Sequence, residues 1–438
     1  MGRLIQLIAA LVVCFSSFAS AADPSALRVY VIVVDGLHPA EVGLATPTLA
    51  GLKAAGTWYE RSLSVMIAET LPNHAAMMTG VLPQKNGIVA NDTAGGRQQD
   101  PKLLLVPTLV TRLETECAAV NTATVQSKTY LFNLFQANAP ATSGGGVEQR
   151  RADFHPDVQP KIPLSDHALD VLTMQAFLDW VVNTPPPQFA FVNLGDVDRS
   201  GHVDPTGNLG VPAVRQAAIV DTDTLLGVLV QLLKLQGAWE STVIIIVSDH
   251  SMDWSLPQNF VSLGAALTAA NVGGFTLTQN GGAEIVTLAN PANTAAAATA
   301  VLGVAGVDRV LTRGTNPSMA DFGLDHERAG HVIAFAKPGW RFSDPSNTSN
   351  PIPGNHGHAI TQRNVLLVSG GHPALAAANV VATNPLDTFQ PPLGTYGSMS
   401  VTPTVATLFG LGEVAHDGPK LDAAFAGGST PNIGACGP

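Results

Sequence analysis

One apolar run that ends in an acid constrains this chain more than any other feature. Val31-Ile32-Val33-Val34 leads directly into Asp35-Gly36. Four consecutive β-branched residues read as a strand buried on both faces, and such a strand belongs to a sheet covered by helices on each side. A carboxylate delivered at the end of a core strand and followed by Gly is a common way to place a metal ligand. The pattern recurs where Val243-Ile244-Ile245-Ile246-Val247 leads into Ser248-Asp249-His250. Between the two lie Asp198-Arg199-Ser200-Gly201-His202 and a hydroxyl in Glu69-Thr70-Leu71-Pro72-Asn73-His74; Gly354-Asn355-His356-Gly357-His358 follows far downstream. Taken singly, each piece has an ordinary explanation: an Asp after a strand caps the next helix, and Asp-x-x-x-His fits a solvated loop. Together they supply six oxygen or nitrogen ligands and one nucleophilic hydroxyl, the equipment of a two-metal hydrolase.

The rest of the chain agrees with an α/β fold. Strand-like segments alternate with helix-like ones from residue 28 to 247, including helices at Thr48 to Gly56, Asn73 to Thr79, Pro107 to Glu116, His167 to Val182 and Val211 to Leu235. Alternation of this kind predicts right-handed crossovers and a mainly parallel central sheet with helices on both faces. In such folds ligands collect beyond the carboxyl ends of strands, where Asp35, Asp198 and Asp249 are expected. With 438 residues, 46% of them hydrophobic, there is enough apolar material for one large domain. Ser251 to Asp344 breaks the alternation. It offers helices near Leu263 to Ala270 and Asn293 to Leu302, strands at Gly274 to Thr278, Ala283 to Leu288 and Gly330 to Ala336, and no evident ligand. It reads as a small α+β cap, residues 251–344, inserted into the main domain.

Residues 1–21 have the form of a signal peptide: Arg3, an apolar stretch from Leu4 to Val13, and Ala19-Ser20-Ala21 as a small-x-small cleavage site. The mature chain would then be residues 22–438, secreted or periplasmic, with no later apolar segment long enough to span a membrane. Acylation of Cys14, as in a lipoprotein, is a minor alternative that the bulky Val13 disfavours. Cys117 and Cys436 are the cysteines of the mature chain, which excludes a cysteine-rich zinc site. In an oxidising compartment they could pair, although sequence alone does not bring them within bridging distance. A net charge of −11 argues against affinity for nucleic-acid polymers and leaves small phosphate esters as candidate substrates.

A family resemblance rests on motifs in fixed order: Val34-Asp35-Gly36, Thr70-x-Pro72-Asn73-His74, Thr79-Gly80 with Gly87-Ile88-Val89-Ala90-Asn91, Asp198-x-x-Gly201-His202, Ser248-Asp249-His250, Arg328-Ala329-Gly330 with Ala336-Lys337-Pro338-Gly339-Trp340, and Gly354-x-His356-Gly357. With these the chain resembles the alkaline phosphatase superfamily over nearly all of its mature length, most closely the type I phosphodiesterase/nucleotide pyrophosphatase branch. The resemblance implies that Asp35, Thr70, Asp249 and His250 hold one divalent ion and Asp198, His202 and His356 a second. Carboxylate and imidazole ligands without thiolate suit two zinc ions, with manganese as a substitute. It also implies that Thr70 attacks phosphorus to form a phospho-threonine that water then releases, and that Asn91 hydrogen-bonds a non-bridging oxygen. Two positions depart from the pattern. Ser400 stands where relatives usually have Asp and is expected to cap the helix starting near Thr402, and Ser251 stands where Gly is common.

Some assignments have rivals. Asp196 competes with Asp198, which Gly201-His202 favours; His358 competes with His356, which the Gly-x-His-Gly pattern favours. His74 is expected to anchor the helix behind the nucleophile. Among functions, the main alternative is a phosphonate hydrolase of the phosphonoacetate type, because Lys128 in Ser127-Lys128-Thr129-Tyr130 falls where that branch holds a substrate carboxylate. The bland reading of Lys128 is a surface residue. A phosphomonoesterase is disfavoured because the nucleophile motif contains no Arg, and a sulfatase because it lacks Cys-x-Pro-x-Arg. A catalytically inactive surface binding module would be expected to have lost ligands that this chain retains.

Overall fold

The structure, a computed structural model, describes residues 26–436 apart from 137, 144, 164, 184–185, 204–212, 315–316, 383, 385–388, 390–391 and 435. The expected signal peptide and Cys14 lie outside the described residues.

A seven-stranded sheet organises the chain. Its strands are β1 (Arg28–Val34), β2 (Thr57–Tyr59), β3 (Thr122–Gln126), β4 (Phe189–Leu194), β5 (Thr242–Val247), β6 (Leu366–Gly370) and β7 (Asn379–Val381). They lie in the order β7-β2-β6-β5-β1-β4-β3. β3, β4, β1 and β5 run parallel, β6 pairs antiparallel to both β5 and β2, and β7 is parallel to β2. β1 is central and every one of its residues is buried. Its side chains alternate between two cores, as the period of two requires. Val29, Val31 and Val33 join one cluster; Tyr30, Ile32 and Val34 join the other. Each of these aliphatic side chains contributes roughly 1.5–3 kcal/mol by leaving water.

Helices cover both faces. On the first lie α2 (Thr70–Thr79), α3 (Leu109–Glu116) and α7 (Val401–Phe409), which pack Leu71, Leu113 and Leu408 against the odd-numbered side of β1. On the second lie α1 (Pro47–Ala55), α4 (Asp170–Asn183) and α6 (Ala213–Leu235), which bring Leu49, Phe177 and Leu229 to the even side. A short helix, α5 (Asp196–Val203), follows β4 directly. A disulfide between Cys117, at the end of α3, and Cys436 ties the C-terminal segment to this domain, with the two Cα atoms 5.2 Å apart. No helix among the described residues is long and apolar enough to cross a membrane.

Within the segment expected to form a cap, a four-stranded antiparallel sheet assembles from Phe275–Asn280, Ala283–Leu288, Val332–Ala336 and Val307–Thr312, in that spatial order. Helices Gly264–Ala269 and Thr294–Leu302 pack against it around Leu267, Val286, Val301 and Val332. The strand Val307–Thr312 escapes a reading by alternation because charged residues, Asp308 and Arg309, interrupt it. The expectation that Ser400 caps α7 fails. Ser400 lies at the helix start but makes no side-chain capping bond; its Oγ instead accepts from the backbone N–H of Gly397 at 3.2 Å.

Candidate active site

Every sequence-selected ligand lies at one end of the large sheet. Asp35 follows β1 and Asp249-His250 follow β5, the strand beside it. Asp198 and His202 sit one turn apart on α5, on the same helical face. Gly36 permits this crowding. It has a left-handed φ of 73°, and a Cβ there would stand 3.1 Å from both Cα and Cβ of Asp198. Its N–H donates to Asp249 Oδ1 at 3.0 Å, locking the ends of β1 and β5 together.

Thr70 is the first residue of α2, whose ten residues are all buried. The helix therefore points its positive N-terminal end at the site, a place suited to an anion. Thr70 Oγ1 lies 3.4 Å from His250 Nε2 and 3.3 Å from Lys128 Nζ. Asn91 is fixed from two sides. Its Oδ1 accepts from the backbone N–H of Leu71 at 2.8 Å, and its own backbone N–H donates to Glu69 Oε2 at 2.7 Å. Asn91 lines the cavity beside the site, and its Nδ2 donor has no hydrogen-bond partner among the described residues.

The donor groups suit divalent cations. Asp35, Asp249 and His250 bring ligand atoms within 4.8 Å of one another, and so do Asp198, His250 and His356. His250 thus lies between the two groups. His202 stands at the edge of the second, with Nε2 3.4 Å from Asp198 Oδ1 and its ring centroid 5.0 Å from that of His356. The Nδ1 atoms of His202 and His250 donate to the carbonyls of Gly354 and Ser251, at 2.7 and 3.0 Å. That leaves both Nε2 atoms as inward lone pairs, the usual arrangement behind a metal. Asp198 Oδ1 and Asp249 Oδ2 are buried without a hydrogen bond, an arrangement that calls for a cation.

A cation does stand there. The ammonium of Lys128 bonds Asp35 Oδ1 at 2.9 Å and Asp198 Oδ2 at 2.7 Å, bridging one carboxylate from each group. Lys128 is buried, not on the surface. Electrostatics follow from this packing. Burial pushes the Asp198 carboxyl up, but the Lys128 ammonium beside it outweighs burial and holds the group well below the usual carboxylate range. Asp249, buried beside Asp35, is driven well above it. Burial lowers His250 to about 4, and burial and the neighbouring His250 hold His356 well below its ordinary value, so both imidazoles are neutral as ligands must be.

The rival residues face elsewhere. Asp196 Oδ1 pairs with His167 Nε2 at 2.6 Å, and His358 Nε2 donates to the carbonyl of Trp340 at 2.5 Å. His74 anchors the helix: Nδ1 donates to the Thr70 carbonyl at 2.9 Å and Nε2 accepts from Asn193 Nδ2 at 3.0 Å. Asn193 also donates to Asp35 Oδ2 at 3.0 Å. Sequence reading missed Asn193, although a polar residue inside the buried run Phe189-Ala190-Phe191-Val192-Asn193-Leu194 was the available signal. It missed Glu69 as well, whose carboxyl is pushed up to about 8 by burial. The small antiparallel sheet also reaches the site, which its lack of ligands had concealed. Asn280 accepts from the backbone N–H of Asp92 and donates to its carbonyl, both at 3.1 Å. The N–H of Gly282 donates to the carbonyl of His356 at 2.8 Å, and a Cβ on Gly282 would overlap the His358 ring.

Above these groups opens a cavity of about 310 Å³. A larger one of about 730 Å³, lined by residues such as Glu114 and Arg150, contains none of the groups described here.

A sequence model of the family described as type I phosphodiesterase / nucleotide pyrophosphatase matches residues 29–359. The chain belongs to this family. Among its curated relatives, ectonucleotide pyrophosphatase/phosphodiesterase family member 1 of Mus musculus is 24% identical over 236 residues, covering 51% of this chain and 24% of the relative. Human bis(5'-adenosyl)-triphosphatase ENPP4 is 26% identical over 280 residues, covering 60% of this chain and 55% of the relative. The chain thus spans about a quarter to a half of the length of these relatives. Among solved structures, murine ectonucleotide pyrophosphatase/phosphodiesterase 5, as an inactive threonine-to-alanine variant in complex with AMP, superimposes with a TM-score of 0.68 at 19% identity. That match covers 90% of this chain and 97% of the other. The fold of that structure is thereby shared over 90% of this chain.

Proposed function

We propose that this family member hydrolyses phosphodiester or pyrophosphate bonds of small substrates through a phospho-threonine on Thr70 at a two-metal site. One observation carries the reading. The Thr70 hydroxyl sits at a buried helix N-terminus, 3.4 Å from His250 Nε2, which belongs to both ligand groups, and 3.3 Å from the Lys128 ammonium that bridges Asp35 and Asp198. Asp35, Thr70, Asp249 and His250 would hold one ion, and Asp198, His202 and His356 the other. Zinc fits best and manganese is the substitute, because every donor is oxygen or nitrogen. When bound, the ions supply Lewis-acid stabilisation of charge and favour ionisation of a hydroxyl at neutral pH.

The chain's own groups do the rest. Thr70 Oγ forms a bond to phosphorus as it loses its proton, and the ester oxygen opposite leaves with its bonding pair. Asn91 Nδ2 donates to a non-bridging oxygen, oriented by Leu71 and Glu69 in advance of the reaction. Water then attacks the phospho-threonine, the Oγ–phosphorus bond breaks, and Thr70 regains a proton. The murine neighbour, inactive when a threonine is replaced by alanine, supports this role for a threonine. The segment 251–344 acts as a cap whose hairpin holds the Asn91 and His356 loops together. Export from the cytoplasm through residues 1–21 accords with the Cys117–Cys436 disulfide.

A second reading, hydrolysis of a phosphonoacetate-type phosphonate, has one observation in its favour. Lys128 lies within the site, where its ammonium could hold a substrate anion once metals take over the carboxylates. A hydrolysis panel separates the two. Zinc-loaded protein is offered a nitrophenyl phosphodiester, a phosphomonoester, phosphonoacetate and a nucleoside triphosphate. The proposal expects the diester or the triphosphate to be cleaved fastest. Phosphonoacetate as the best substrate, with Lys128→Ala raising its KM far more than that of the diester, would replace the proposal by the second reading.

A further inference from the structure

Cations and rings lining the cavity specify more than the bond that is cut. Arg97 is spent on the protein: it donates to Asp92 at 2.9 and 3.3 Å and stands 3.6 Å from Asp166. Lys128 is held by Asp35 and Asp198. Arg199 is half-buried, lines the cavity, and forms no ion pair or side-chain hydrogen bond among the described residues. It follows Asp198 directly on α5, so its position is fixed to the helix that carries Asp198 and His202. A guanidinium lining a concave site with all its donors unused matches a carboxylate or phosphate.

Aromatic lining points the same way. Tyr130 is the one Phe, Tyr or Trp side chain lining this cavity among the described residues, and its ring lies under Arg97, 5.1 Å from the guanidinium carbon, and under Lys128, 5.8 Å from Nζ. Among the described residues no pair of Phe, Tyr or Trp rings lines the cavity to sandwich a nucleobase, the arrangement by which flat bases gain affinity from stacking.

We infer that Arg199 is a specificity-determining residue, and that the substrate carries a second anionic group, separate from the scissile phosphate, which Arg199 binds in place of a stacked base. This rests on the proposed phosphoester hydrolysis and names the class of ester. A charge-assisted, bidentate contact in a partly buried site sets the expected effect at about tenfold or more in kcat/KM.

The test uses the zinc-loaded full chain and four nitrophenyl substrates: the 2-carboxyethyl diester, the propyl diester of similar shape, the thymidine 5'-diester, and nitrophenyl phosphate. Native protein should prefer the carboxyethyl over the propyl ester by about tenfold or more, and should gain nothing from the thymidine group. Arg199→Ala should lower kcat/KM for the carboxyethyl ester about tenfold more than for the propyl ester, and Arg199→Lys should restore part of the preference. A thymidine ester as the best substrate, or a carboxylate preference that survives in Arg199→Ala, overturns the inference. If nitrophenyl phosphate is best and suffers most from Arg199→Ala, Arg199 reads the scissile phosphate itself and the second anion is wrong. Should none of the four be cleaved, the phosphodiester part of the proposed function fails, and calorimetry still decides on Arg199. Native protein should bind phosphonoacetate about tenfold tighter than ethylphosphonate, and Arg199→Ala should remove most of that difference; equal binding of both by the native protein counts against the inference.

Discussion

Acids are buried at several places among the described residues, and two of those places, one in each sheet, behave differently. Asp35, Asp198 and Asp249 lie at the carboxyl ends of a parallel sheet, among imidazole Nε2 atoms and the Lys128 ammonium. Glu284 lies inside the small antiparallel sheet, equally buried, with neither carboxylate oxygen hydrogen-bonded. Burial and the neighbouring acid Asp344 push its carboxyl up to about 9. Asp249 shares the upward shift of Glu284, but only in the first set do carboxylates, imidazoles and the Lys128 ammonium converge on one point. Burial alone therefore does not mark a ligand. What marks it is convergence of several donors on one point, which parallel strands and their following loops provide and an antiparallel meander does not.

The largest expected effect breaks the comparison at its metal side. The active protein should carry about two divalent ions per chain. Chelation should abolish hydrolysis, with zinc or manganese restoring it. Full activity with one ion or none would reduce the first set of acids to another group of buried carboxyls. Next comes the nucleophile. Thr70→Ala should lower kcat by on the order of 10³-fold or more, with little change in metal content, whereas Thr70→Ser keeps the hydroxyl and substantial activity. Near-native turnover of the alanine variant with metals bound would mean that water attacks directly. A smaller loss, about 10²-fold in kcat, is expected for Asn91→Ala, the cost typical of one preorganised donor. A change confined to KM would make Asn91 a binding group only.

The smallest effect concerns the other acids. Glu284 has a folded pKa of about 9 against an ordinary value near 4.5, so between these values the folded state holds a proton that the unfolded state releases. Its contribution to stability is complete below pH about 4.5 and falls as pH rises towards about 9. Glu284→Gln should therefore gain on the native protein by a few °C in Tm, roughly, between pH 5 and pH 8. A difference in Tm that does not change with pH would show that Glu284 is ionised in the fold, and the contrast between the two sets would weaken.

Much of the site was legible because its residues interrupt strong patterns. Asp35 and Asp249-His250 end aliphatic runs, and Thr70-x-Pro72-Asn73-His74 and Gly354-x-His356-Gly357 are compact motifs. Arg28–Val34 as a central strand and helices on both faces followed from the same runs. Other parts depend on contacts that no local pattern announces. Lys128 looks like any polar residue before a helix, yet the crossover from β3 places it between Asp35 and Asp198. The hairpin at Asn280-Gly281-Gly282 reads as a turn, and only tertiary packing shows that it clasps the Asp92 backbone and the His356 carbonyl. Strands as short as Thr57–Tyr59 and Asn379–Val381 carry too few residues for a period to appear.

The central claim is covalent catalysis by Thr70 between two groups of ligands. An acid quench of zinc-loaded protein during turnover of a nitrophenyl diester, followed by mass spectrometry of the peptide containing Thr70, tests it most directly. The account predicts a phosphoryl adduct on Thr70 that appears within one turnover and is absent from Thr70→Ala. Rapid turnover with an unmodified Thr70 at every quench time, or an adduct on another residue, would contradict it.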